Sequence, residues 1–472
     1  LSFGHLLTVE KMRICVIGAG AAGLCACKYA RLIKNATVVV YEILDRVGGT
    51  WNYTDQVGED IRNETRHPVL YKNLKTNLPK EIMGFPDFPF KNTIKESFIC
   101  HQLVSDYLQD YAKHFNLLQH IKFGYKVTDV HAHPNGEYCW QLEVKNVKTK
   151  LFETHFFDAL FVCSGHYALP HIPEIKGMDQ FQGELLHAST YRVPEKFQGR
   201  RVACLGAGPS GVDLAFELSH FAKKVYPSQC TADYIDISSE VRVKEKKPLQ
   251  VYLCHNDSRL QSALPEHLEE TVGIESCEKN GVILKDGQYL TVDTIIFCTG
   301  YEYEFPFLQH CTPLYVKSNS VSPLHYHMIH VNLKNLFFIG LNYTVLPFPF
   351  FDVQVRFCVE LLKGKFDMPS EEQIREDEML ENEMRQKMTL GKALPPHYMG
   401  PLQWAYLYRL IDLAKLDPLP PYLEHVYNRL SEIRPRHLSE YKTFQFKILN
   451  DADFEIYQPL QNQRTVYRCH TV

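Results

Sequence analysis

Arg13-Ile-Cys-Val-Ile-Gly18-Ala-Gly20-Ala-Ala-Gly23 decides the fold. A short apolar run of strand-forming residues ends in glycines and leads into the helix-forming stretch AAGLCACKYARLIK. ATVVVYE, residues 36–42, follows as a second strand. Strand, glycine turn, helix and strand within about thirty residues make a βαβ unit. In such a turn Gly18 makes the bend, Gly20 lets a pyrophosphate approach the backbone, and Gly23 lets the helix pack on the strand. The backbone of Ala19, Ala21 and Ala22 presents N–H groups at the helix start, a ready anion site. Glu42 ends the next strand. A carboxylate there accepts a hydrogen bond from a ribose 2′-hydroxyl and repels a 2′-phosphate, so this unit is expected to hold FAD or NAD rather than NADP.

Outward from that unit, Gly48-Gly49-Thr50-Trp51 distinguishes a flavoprotein from a plain dehydrogenase. Paired glycines let the chain run close under a dinucleotide, and the Trp51 indole is placed to wall off its ring system. RRVACLGAGPSGVDLAFELSHFAKKVYPS, residues 200–228, then repeats the first motif. Gly206, Gly208, Ser210, Gly211, Val212 and Asp213 make its phosphate turn. The strand after this helix is read as ending at Tyr226–Thr231, with no carboxylate, which permits NADP. No arginine stands there to demand it.

Two such units give the expected class. It is an α/β chain with two Rossmann-like dinucleotide-binding domains, the second inserted into the first, and a C-terminal helical segment. Pro170 and Pro173 stop any continuing helix and mark a border. NLFFIGLNY, residues 335–343, is a buried strand expected back in the first domain. The expected borders are 12–168 and 301–365 for the first domain, 169–300 for the inserted one, and 366–472 for helical support.

Composition narrows the partners. Hydrophobic residues at 45% and charged residues at 22% describe an ordinary folded protein. A net charge of −4 gives no electrostatic case for nucleic acid or an anionic membrane. The 14 cysteines are scattered, several inside apolar strands, with no CxxC pair and no zinc spacing. Reduced thiols and a soluble, cytoplasmic protein are expected; because the chain starts at Leu1, secretion stays open. No apolar run is long enough to span a bilayer. His325, His327 and His330 have strand spacing without carboxylates beside them, so no metal is expected.

Phe181-Gln-Gly183-Glu-Leu-Leu-His187-Ala-Ser-Thr-Tyr191-Arg192 reads FxGxxxHxxxYR, and Phe297-Cys-Thr299-Gly300-Tyr301 follows it. With both glycine turns and GGxW, these resemble, in order, the signatures of the flavin-containing monooxygenases. GHYALPHIP, TNLPKEIMGFPDFPF and VLPFPFFDVQVRF resemble the family's soluble insect-type branch, which includes pyrrolizidine-alkaloid N-oxygenases. The resemblance implies FAD at Gly18, Gly20, Gly23, Glu42, Gly49, Thr50 and Trp51, and NADPH at Ser210, Gly211 and Asp213. Reduced flavin would take up O₂ as a C4a-hydroperoxide and oxygenate the soft nitrogen or sulfur of a small amine or thioether. Asn77, between Thr76 and Leu78, matches the family's active-site asparagine. Tyr191 and Arg192 would steady the fingerprint and the nicotinamide cofactor, with Gln354 also reaching toward the cofactors. Tyr-Arg at that point favours heteroatom oxygenation over ketone insertion. The vertebrate members' apolar C-terminal anchor has no match in LQNQRTVYRCHTV, so no integral anchor is expected. Other readings are an NADPH oxidase, another two-dinucleotide oxidoreductase, or a non-catalytic flavoprotein redox sensor. A homo-oligomer stays open.

Overall fold

The structure, a computed structural model, describes residues 11–59, 65–66, 69–133, 139–225, 249–311, 314–317, 319–389 and 394–468. The lead-in 1–10 and the Tyr226–Thr231 stretch lie outside them. Two sheets carry the molecule. The first has seven strands, in the order Leu324–His325, Ile329–His330, Leu336–Phe338, Ala159–Val162, Met12–Ile17, Ala36–Glu42 and Ile121–Phe123. Its centre is parallel, with Ile14 facing Val38 on one side and Ala159 on the other. Leu336–Phe338 pairs in parallel with Ala159–Val162, so chain from beyond the second glycine motif completes the first sheet. The second sheet has five parallel strands, in the order Glu184–His187, Thr294–Phe297, Arg201–Leu205, Gln250–His255 and Leu268–Val272. Both are the Rossmann-like units expected, the second inserted into the first.

Parallel strands buried on both faces should be continuously apolar. Ile14, Cys15 and Val16 are fully buried, as are Val202, Ala203 and Cys204. Helix Ala21–Ala30 seals one face of the first sheet and packs with helix Pro347–Leu362 in one apolar core. Tyr29 Oη donates to Asp352 Oδ1 at 2.7 Å across that contact. No helix among the described residues is long and apolar enough to cross a membrane.

Three expectations need correction. Both edges of Arg201–Leu205 are taken, by Gln250–His255 and Thr294–Phe297, so the strand end expected beside it is at His255. The histidine run is a hairpin, not one strand: Tyr326 and His327 turn it with φ of 50° and 57°. His327 does meet a carboxylate, Glu381, supplied by the distant helix Glu371–Thr389. The C-terminal region is not purely helical. After helices Leu402–Ala414 and Tyr422–Ile433 it ends in a three-stranded antiparallel sheet, Gln445–Ile448, Phe454–Gln458 and Gln463–Tyr467. Phe446, Phe454 and Ile456 are buried there, the period-2 signature of a half-buried strand.

Candidate functional site

Each glycine motif is a cradle whose shape the backbone enforces. Gly18 sits at φ +100°, and a Cβ there would lie 2.6 Å from the Cys163 carbonyl oxygen. A Cβ on Gly23 would fall 1.8 Å from the Gly18 oxygen. Gly206 and Gly211 repeat this: φ is +109° with a clash at 2.8 Å on the Cys298 oxygen, then 1.8 Å on the Gly206 oxygen. Gly208 differs, because a Cβ there would meet nothing within 4 Å. Packing alone gives no reason for glycine at 208; close approach of a pyrophosphate does. The residues present therefore fit a dinucleotide at both turns.

In the first cradle Gly48 N–H donates to the Ala19 oxygen at 3.0 Å, so the GG segment docks on the phosphate turn. A Cβ at Gly49 would press within 2.9 Å of Gly20 Cα. Thr50 and Trp51 follow in a short 3-10 turn, with Trp51 half-buried against the first core. Glu42 is 5% exposed. Its carboxylate accepts the N–H of Ala19 at 2.6 Å and of Leu44 at 2.8 Å. Burial pushes its pKa up, against the pull of the Leu44, Ala19 and Ile43 N–H groups.

Beside the second cradle lies a small cavity of about 50 Å³ that takes Tyr71 and Asn77 from the first unit, and Ser210, Asp213 and Tyr301 from the second unit and its exit. Asn77 is held there by locked neighbours. Thr76 exchanges hydrogen bonds with Ile99, and Leu78 packs on the first core. Asn77 Oδ1 accepts from Tyr441 Oη at 3.1 Å, leaving Nδ2 to donate to a bound group. Across the seam, Asp213 accepts from Tyr71 Oη at 2.9 Å and from Lys442 Nζ at 2.6 Å. Burial lowers the Lys442 pKa, against the raising influence of Asp213.

Arg192 binds three carbonyl oxygens: Thr54 through Nε at 2.9 Å, and Ser189 and Tyr191 through Nη1 at 2.7 and 2.6 Å. Its buried Nη2 has no partner. A buried guanidinium nitrogen without an acceptor is what a missing cofactor oxygen would leave behind. Arg192 thus ties the fingerprint to the loop after Trp51 and keeps a donor in reserve.

Three predicted contacts resolve differently. Gln354 is 0% exposed, and its amide is spent on Gly340 N–H, Asn342 Oδ1 and Tyr406 Oη. It positions the Gly340–Asn342 turn. Tyr191 is buried, stacks on Phe197 and donates to Glu217, so it supports the fingerprint from behind. The Val212 side chain belongs to the second core, which leaves only its backbone near the cradle. Sequence reasoning missed Tyr441 and Lys442, which carry no motif. It also missed Asn342, whose buried Nδ2 is unpartnered beside Gly340. The described group that could hold a metal is Asp129, His131 and His310, in which each histidine lies 3.0 Å from Asp129 on the outer strand Tyr125–Ala132 and a neighbouring turn.

Comparison with known proteins agrees with this geometry. The flavin-binding monooxygenase-like family model matches residues 11–273 and 240–416. The chain belongs to that family. Flavin-containing monooxygenase FMO GS-OX5 of Arabidopsis thaliana is 34% identical over 78% of this chain and 78% of its own length. FMO GS-OX4 of the same plant is 33% identical over 88% and 87%. Among solved structures, S-allyl-L-cysteine S-oxygenase from Allium sativum superposes with a TM-score of 0.78 at 27% identity, covering 91% of this chain and 94% of that one. Tmm from Pelagibacter sp. strain HTCC7211, at 22% identity and a TM-score of 0.76, shares the fold over 97% of both chains. The protein is a flavin-dependent oxidoreductase of the monooxygenase class, and FAD and NADP are its cofactors.

Proposed function

We propose that this enzyme uses NADPH and O₂ to oxygenate a soft nucleophilic nitrogen or sulfur of a small molecule. One observation carries the reading: Asn77 of the first unit and Ser210 of the second line a single cavity. Hydride transfer needs the two cofactors face to face, and the seam between the units is where both can reach. FAD, once reduced there, supplies the activation of oxygen.

The chain's own residues bind, orient and exclude water. In this reading Gly18 to Gly23, Glu42 and Gly49 to Trp51 hold FAD, with Thr76 and Leu78 fixing the backbone on either side of Asn77. Gly206, Gly208, Ser210 and Gly211 hold the nicotinamide dinucleotide. Asp213 acts at the seam, binding Tyr71 and Lys442 and so closing one unit on the other. Asn77, oriented by Tyr441, donates from Nδ2 to the bound cofactors. Tyr71 and Tyr301 wall the cavity with aromatic surface, which keeps water out. The FAD unit would comprise 12–168 and 301–365, the nicotinamide unit 169–300, and the support 366–472. The S-allyl-L-cysteine S-oxygenase likeness supports sulfur as an acceptor; the Tyr191-Arg192 pair supports heteroatoms over ketones. Thiols buried and unpaired, such as Cys15, Cys163 and Cys204, suit a cytoplasmic setting.

The test is stoichiometric. NADPH consumed, peroxide released and product formed are measured together with a tertiary amine, a thioether and no substrate. Product matching NADPH with either acceptor supports the proposal. Peroxide matching NADPH in all three would make the protein an oxidase, and a flavin left oxidised by NADPH would make it a binding protein.

A further inference from the structure

The second cradle has a specificity pocket that sequence reading misplaced. Gly18 N–H donates to the Tyr41 oxygen at 2.8 Å, and Gly206 N–H donates to the Cys254 oxygen at 2.8 Å. The residue after each acceptor is therefore equivalent, which makes His255 the counterpart of Glu42. That position reads the 2′ substituent of the adenosine ribose.

At His255 the chemistry differs from a phosphate clamp. The side chain is 6% exposed, and its Nε2 lies 2.9 Å from Glu270 Oε1. Glu270 also accepts the Leu260 N–H at 2.8 Å. In the neutral tautomer that donates from Nε2 to that carboxylate, Nδ1 is an acceptor, and it is buried without a partner. A hydroxyl can donate to it; a phosphate dianion cannot. The pocket in front, about 510 Å³, is lined further by Asn256, Asp257, Glu174, Glu275 and Lys285. Three carboxylates face one cation among these residues. Arg259, exposed and near in sequence, does not line it.

We infer that this ribose pocket accepts a 2′-hydroxyl, so that NADH serves the enzyme alongside NADPH, with His255 as the hydroxyl's acceptor and Asp257 as the group that disfavours the phosphate. Among the described residues that line the pocket, Lys285 is the one lysine or arginine that offers the phosphate a counter-charge. The inference rests on the second unit holding the nicotinamide dinucleotide, as proposed above.

Two measurements on the FAD-loaded enzyme test it. Calorimetric titration with 5′-AMP and with 2′,5′-ADP reads the pocket without turnover. Affinities within about tenfold of each other are expected, and a phosphate preference beyond about tenfold overturns the inference. Asp257→Arg should raise the affinity for 2′,5′-ADP at least about tenfold while leaving 5′-AMP unchanged; an unmoved ratio removes Asp257 from the pocket's chemistry. Arg259→Ala is the control and should change neither. Anaerobic bleaching of the flavin by NADH and by NADPH forms the second arm. Comparable rates support the inference, and bleaching by NADPH alone defeats it. If neither nucleotide bleaches the flavin, the oxidoreductase reading fails, while the titration still decides the pocket.

Discussion

The two nucleotide units are near copies down to single hydrogen bonds, and they part company at one strand end. Arg13 clamps Asp158 at the mouth of the first sheet as Arg201 clamps Asp293 in the second, each pair through backbone N–H and guanidinium. Cys163 N–H donates to Ile17 and Cys298 N–H to Leu205, at 2.9 and 2.8 Å. The glycines clash alike if given a Cβ. What differs is the residue at the strand end, Glu42 against His255, and the room over the middle glycine, where Gly20 faces Gly49 and Gly208 faces open space. The shared parts build a phosphate cradle, and the unshared parts choose the cofactor.

That comparison can be broken most severely at Glu42. Glu42→Arg should yield colourless protein, because the substitution buries a cation against the Ala19 and Leu44 N–H donors and removes the ribose acceptor. A normal flavin spectrum would end the ribose assignment. Gly211→Ala should leave the flavin in place and weaken nicotinamide nucleotide binding by about 100-fold or more, since its Cβ would meet the Gly206 oxygen at 1.8 Å. Loss of flavin as well would show that the units do not act separately. Asn77→Ala sits on the seam and should keep FAD while cutting product formation at least about tenfold, or ~1.4 kcal/mol of barrier. Unchanged oxygenation would take Asn77 out of the mechanism. Tyr441→Phe, which removes only the donor to Asn77 Oδ1, should cost less, about 1 kcal/mol or under.

The pH prediction concerns the first unit's hairpin. His397 Nε2 accepts the Val321 N–H at 2.9 Å, and its Nδ1 meets His327, which in turn reaches Glu381. Burial, with the charges of His327 and Arg385, pushes its pKa down to about 3. Between its unfolded value near 6.5 and that figure, the unfolded chain binds a proton the folded chain refuses. Stability should therefore fall as pH drops through this window, by about 1.4 kcal/mol per unit from this one group. Thermal unfolding from pH 7 to 4 checks it. His397→Gln should flatten the slope, and an equally steep variant would place the titration elsewhere.

Much of this was legible in the sequence where chemistry is local. RICVIGAGAAG needs only its own strand and helix to be read. The misplaced strand failed for a spacing reason: Glu42 stands 19 positions past Gly23, but its counterpart His255 stands 44 past Gly211, so counting from the turn lands in the wrong segment. Contacts made across the chain were invisible. Asn77 and Tyr441 are 364 residues apart, and nothing in the sequence near either one names the other. The partners of Gln354 were likewise illegible, because a buried amide looks the same in sequence whether it faces a cofactor or a turn.

The Tyr441-Lys442 pair has a consequence for the protein's biosynthesis. On the ribosome, the first sheet waits for Leu336–Phe338, made after the second glycine turn, and the side chains that orient Asn77 and latch Asp213 come later still, 364 and 229 residues after their partners. The seam between the units is therefore the last of these contacts that synthesis makes available. An order of assembly is thus set by the position of two residues near the end of the described chain.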